Sequence, residues 1–162
     1  MKVLEGVATV DDVETFVAQL DESGERHGST VQAFDARYVV SRRHLERAVE
    51  LARRERERGD GIARDEGVEI LLYAAGRRQI QQALEMGVSN GRVPVVIVVV
   101  GGDEDRTVTD LRDLITPAET LGSYDTALVR EFFDVSDQEL EATDGTLADI
   151  VCERVAMLVI ER

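Results

Sequence analysis

Arg92-Val93-Pro94-Val95-Val96-Ile97-Val98-Val99-Val100 is a run of β-branched residues with no polar face. Branching at Cβ restricts χ1 and suits the pleated surface of a sheet better than a helix. A strand that is apolar on both sides has to be covered on both sides, so helices are expected over both faces of its sheet. The run is interrupted by Pro94 and falls well short of the ~20 apolar residues that span a bilayer. Ser89-Asn90-Gly91 turns the chain into it, and Gly101-Gly102 follows it.

Upstream, Lys2 to Val10 alternates loosely and reads as a first strand. Asp11, with Glu14 three residues on, forms a capping-box-like start for a helix burying Val13, Phe16, Val17 and Leu20. Asp21 to Gly28 reads as a polar turn, and Ser29 to Phe34 as a second strand. Asp35 is placed to cap a short helical segment and Ser41 the next helix, Arg42 to Arg58, with Leu45, Ala48, Val49 and Ala52 inward. Arg53, Arg54, Arg56 and Arg58 alternate there with Glu55 and Glu57, the mark of a solvated, ion-paired face.

Downstream, Asp105 or Thr107 opens a helix through Val108, Leu111 and Ile115. Thr116-Pro117-Ala118-Glu119 has the form of a capping box with proline at the first helical position, and Tyr124, Leu128 and Phe132 continue helical spacing. Ser136 and Glu139 open a short helix, and the last helix, Thr146 to Ile160, buries Leu147, Ile150, Val151, Val155, Leu158 and Val159. The whole reads as one α/β or α+β domain over residues 1–162, a small mixed sheet of about three to five strands under about seven to eight helices.

A formal charge of −14 comes from 33 acids against 19 bases, and Lys2 is the one lysine. Such acidity argues against a broad phosphate-binding surface, which needs clustered cations. The acids sit on patterned helices, so this is no disordered tail. Acid-rich, arginine-over-lysine usage resembles that of a salt-loving archaeon's proteins, and at molar salt the Debye length is only about 3 Å. Net charge therefore leaves the partner open. Glu5 meets the N-terminus too early for a signal peptide, and a soluble cytoplasmic protein is expected. Cys152 stands alone, which leaves no internal disulfide; it reads as a buried structural thiol.

Lys2 is no Walker-A or Schiff-base lysine, and His27 and His44 have no second metal ligand at a recognised spacing. No cofactor is expected. One acidic loop invites chemistry: Gly101-Gly102-Asp103-Glu104-Asp105 follows the strong strand, and its carboxylates suit Mg²⁺. A Mg-dependent enzyme acting on a phosphorylated substrate through Asp103, Glu104 and Asp105 is thus the alternative function. A plain loop is the other reading.

The remaining feature is a corner. In Glu69-Ile-Leu-Leu-Tyr-Ala-Ala-Gly-Arg-Arg-Gln-Ile80, Val68, Leu71, Leu72 and Ala75 recur with one buried helical face. Gly76 stands where a helix ends in the left-handed conformation, and a second helical pattern resumes at Ile80, Ala83 and Leu84. Arg77, Arg78 and Gln79 lie at the break. Either they present donors to a ligand, or this is an ordinary helical turn with solvated arginines.

Glu69–Ile80 resembles the motif of the kinase-binding accessory subunit of the KEOPS complex, the TPRKB type named for its partner kinase PRPK. Members carry a Glu-Ile-Leu-Leu-Tyr-like helix leading into Gly-Lys/Arg-Arg-Gln-Ile. Val31-Gln32-Ala33-Phe34-Asp35-Ala36 is a second similar patch, and the resemblance extends from Val31 to the C-terminus. It implies a non-catalytic subunit that binds the KEOPS kinase and captures the single-stranded 3′ end of tRNA during threonylcarbamoyladenosine modification. Arg77, Arg78 and Gln79 would then supply planar donors to RNA, Ile80 and Tyr73 apolar contact, and Arg64 a further cation. Val155, Met157 and Leu158 on the C-terminal helix are the expected kinase contact, with the helix from Asp11 to Leu20 in support. No membrane partner is expected.

Overall fold

The computed structural model describes residues 1–161. Its strands are β1 (Lys2–Val10), β2 (Thr30–Asp35), β3 (Gly91–Val100) and β4 (Thr116–Pro117). They form one sheet in the order β2-β3-β1-β4, and each of its three pairings is antiparallel. The expected mixed sheet is thus antiparallel throughout. The reason is topological: β1 and β2 run the same way, but β3 inserts between them and separates the parallel pair. Registers are long, Lys2 opposite Val99 through Val10 opposite Gly91, and Thr30 opposite Val100 through Asp35 opposite Val95.

Eight α-helices cover the sheet among the described residues: α1 (Val13–His27), α2 (Arg42–Glu57), α3 (Glu66–Ala75), α4 (Ile80–Ala83), α5 (Glu104–Leu111), α6 (Thr126–Phe132), α7 (Asp137–Ala142) and α8 (Leu147–Glu161). Alternation along β3 divides the core. Val93, Val95, Ile97 and Val99 pack with Phe16 and Leu20 of α1 and Val108 and Leu111 of α5. Val96, Val98 and Val100 pack on the other side with α2, α3, α6 and α8. Both faces are covered, as the apolar run requires. No helix among the described residues is long and apolar enough to cross a membrane.

Several local expectations are corrected. The cap of α1 is Asp12, whose carboxylate accepts from Thr15 N–H at 3.1 Å, one residue beyond Asp11. Asp21–His27 is helix rather than turn. Its polar residues mark exposed last turns of α1, which still bury Ser23 and Gly24. Asp103 caps α5, ahead of Asp105 and Thr107, by accepting from Arg106 N–H at 3.1 Å.

Thr116-Pro117 opens no helix but pairs with Val7 and Gly6 as an edge strand, where a missing N–H is tolerated. The following amides go elsewhere. Thr120 and Leu121 N–H donate to Glu5 Oε1 at 3.1 and 2.7 Å, and helix resumes only at α6, capped by Asp125. The caps at Asp35, Ser41 and Ser136 stand where the sequence puts them.

Candidate functional site

α3 is the central helix of the larger core. Asp65 caps it, accepting from Val68 N–H at 2.9 Å. Ile70 through Ala75 are all buried, so the helix is enclosed on nearly every side rather than along one stripe. An acid inside such a helix needs partners. Glu69, fully buried, finds them in the loop after α2: its carboxylate accepts from Ile62 N–H at 2.8 and 3.0 Å and from Ala63 N–H at 2.5 Å. The glutamate that opens the motif is therefore a structural tie.

At the other end of α3, the orphan carbonyls of a helix C-terminus need donors. Gly76, at φ +62°, turns the chain, and its N–H and that of Arg77 return to Tyr73 and Leu72 carbonyls. His44 supplies the next bond. Its buried ring accepts from Val40 N–H at Nδ1, 3.4 Å, which puts the proton on Nε2 to donate to Ala74 O at 2.7 Å. Burial pulls its pKa down to about 4, against a smaller upward effect of the Ala74 bond. His44 is a neutral core group, packed edge-on to Phe133 at 5.7 Å, and not a metal ligand.

The residues after Gly76 divide sharply. Arg77 is half-buried; its guanidinium donates to the Phe132 carbonyl and stands 5.0 Å over the Phe132 ring. Arg78, Gln79 and Ile80 are exposed, Ile80 at 44%. Among the described residues no hydrogen bond or ion pair is found for the Arg78 side chain. That separates it from most of the arginines in and just after α2, Arg43 excepted. Arg42, Arg47, Arg53, Arg54 and Arg58 pair with acids, and Arg56 donates to the Ala63 and Arg64 carbonyls. The ion-paired face is as expected except that its Glu55 is buried.

Tyr73 and Arg64 stand apart from the exposed part of the corner. Tyr73 is fully buried and offers no surface to a ligand, because the next turn of α3 faces the core as well. Arg64 is exposed but precedes α3, whose ten residues span about 15 Å, so helix length separates it from Arg78. On α8, Val155 and Leu158 are in the core, while Met157 is 43% exposed and Ile160 79%. A helix packed on one side cannot present i and i+3 core positions outward. α1 packs on the opposite face of the sheet from α8, so the two do not form one surface.

The acidic loop is tightly built. Asp103 caps α5, Glu104 accepts from Gly101 N–H at 2.7 Å and pairs with the N-terminal amine at 3.2 Å, and Asp105 pairs with Lys2 at 3.5 Å. A Cβ at Gly102 would stand 2.4 Å from the His27 and Gly28 oxygens, so the loop is pressed onto the end of α1. No group of three or more His, Cys, Asp or Glu suited to a metal ion occurs among the described residues. His27 bonds Asp110 at 2.8 Å, which holds that carboxyl below its ordinary range. Cys152 is partly rather than wholly buried, and burial raises its thiol pKa.

A family model described as kinase binding protein CGI-121 matches residues 8–158. No curated protein matches the chain. The match spans both motif patches, the paired strands β2 and β3, the last residues of β1, and all but the last residues of α8. The chain therefore belongs to the CGI-121 family of kinase binding proteins, the family of the KEOPS subunit that its Glu69–Ile80 motif resembles.

Proposed function

We propose that this protein acts in the cytoplasm as a non-catalytic subunit of KEOPS, holding the complex's kinase and the single-stranded 3′ end of tRNA. The observation that supports the RNA reading is the exposed Arg78-Gln79-Ile80 set on a turn anchored in the core. Unpaired RNA ends are bound by stacking on flat groups and by hydrogen bonds to base edges and phosphate. Arg78 offers a planar cation without an acid partner among the described residues, Gln79 an amide for a base edge, and Ile80 an apolar face.

The body of the protein repels RNA at low salt, and that repulsion fades where the Debye length shrinks to a few ångströms. A small site then suffices. Binding of tRNA with and without its 3′ end, at high salt, tests the reading.

For the kinase, the family description supplies the partner class, and Met157 with Ile160 on α8 is the apolar surface in best agreement with it. The Mg-dependent alternative draws no support from the acidic loop. Its three carboxylates already serve a helix cap, a backbone amide and three cations.

A further inference from the structure

Arg77 sits between the buried end of α3 and the exposed Arg78, and its side chain is already engaged. Phe132, whose carbonyl it bonds, is the last residue of α6. The final carbonyls of a helix have no partner within that helix, and its dipole favours cations there. The carbonyls that follow are taken by a second arginine. Arg154 of α8 donates from Nε to Phe133 O at 3.1 Å and from Nη2 to Asp134 O at 3.2 Å. Glu139 holds the same guanidinium at 2.6 Å.

Three successive carbonyls at the end of α6 are thus held by two guanidiniums, one from the Gly76 turn and one from the helix that touches it. The contact is direct: Arg154 O lies 3.3 Å from where a Cβ on Gly76 would be. The Phe132 ring, which lies under Arg77, is itself wedged against Tyr38 at 5.5 Å and Phe133 at 5.0 Å.

We infer that Arg77 is a positioning residue, which clamps the Gly76 turn onto the end of α6 so that Arg78, Gln79 and Ile80 are presented in one orientation. This rests on the RNA reading proposed for the turn. Arg77 does not itself touch RNA. Its guanidinium is bonded to the Phe132 carbonyl and lies over the Phe132 ring, and the role assigned to it is to hold the turn.

The test compares Arg77→Gln, Phe132→Leu, their combination and Arg78→Gln in the full chain. The first readout needs no RNA: NMR-resolved amide exchange at Gly76, Arg77, Gln82 and Ala83, referenced to Val98 in β3 for global opening. Arg77→Gln should speed exchange at the turn about tenfold or more over the reference, Phe132→Leu should act in the same direction, and Arg78→Gln should leave it unchanged.

The second readout is affinity for a tRNA 3′-end oligonucleotide across a salt series. Arg77→Gln should weaken binding about tenfold with an unchanged salt slope, whereas Arg78→Gln should lower the slope by about 0.7. The combined variant should bind no more weakly than Arg77→Gln alone, because both changes break one clamp. Unchanged exchange at the turn in Arg77→Gln, or a salt slope lowered as in Arg78→Gln, would overturn the inference. If the wild-type chain binds no RNA, the RNA reading falls, and faster local exchange alone upholds the clamp.

Discussion

The main-chain oxygen of Arg154 lies 3.3 Å from the point a Cβ would occupy on Gly76, whose φ is +62°. One glycine thus answers two demands, a left-handed turn and the close approach of α8. Gly76→Ala adds conformational strain and a contact that α8 backbone must yield to, and should cost about 1–2 kcal/mol of stability in chemical denaturation. A cost of only about a few tenths of a kcal/mol would mean the turn relaxes freely and is not anchored to α8.

His44 makes stability depend on pH. Its folded pKa, about 4, lies below the ordinary 6.5, so the unfolded chain takes up the proton first as pH falls. Its contribution is complete above about 6.5 and is lost progressively down to about 4. At 1.36 kcal/mol per tenfold, that window corresponds to ~3 kcal/mol. Denaturation of wild type and His44→Leu at pH 7 and pH 4.5 checks this. The variant should be less stable at pH 7, since Ala74 O and Val40 N–H lose their partner, yet lose less on acidification. Equal losses in both would remove His44 from the account.

The kinase surface predicted on α8 separates exposed from buried positions. Met157→Glu combined with Ile160→Glu should abolish co-purification with the kinase and leave the melting temperature nearly unchanged, as both side chains are already in solvent. Val155→Ala, inside the core, should lower stability by about 2 kcal/mol while the folded fraction still binds. Retained co-purification of the glutamate variant would place the kinase on another face.

Much of this was readable because it follows from local rules. The β-branched run at Arg92–Val100 implied a strand covered on both faces, and Gly76, Ser41 and Ser136 stand at the ends their chemistry suits. Failures came where distant parts of the chain decide the outcome. Thr116-Pro117 carries a helix-start pattern, but β1 offers an open edge and Glu5 draws the next amides.

At the site, periodicity does not tell that α3 is enclosed all round, so it does not separate the buried Tyr73 from the exposed Ile80 as an apolar contact. Nor could it distinguish Arg77 from Arg78, since what separates them is a carbonyl at Phe132, 55 residues away. Glu69 did leave a trace, an acid inside an otherwise apolar helix, which in a buried setting demands N–H partners.

The most direct test of the RNA site is binding of intact tRNA against tRNA trimmed of its 3′ single-stranded end, at high salt, with the Arg78→Glu variant alongside and the kinase both absent and present. The account predicts that intact tRNA binds, that trimmed tRNA does not, and that Arg78→Glu loses binding while keeping the fold, because Arg78 is exposed. Equal binding of intact and trimmed tRNA, or full binding by Arg78→Glu, would contradict it.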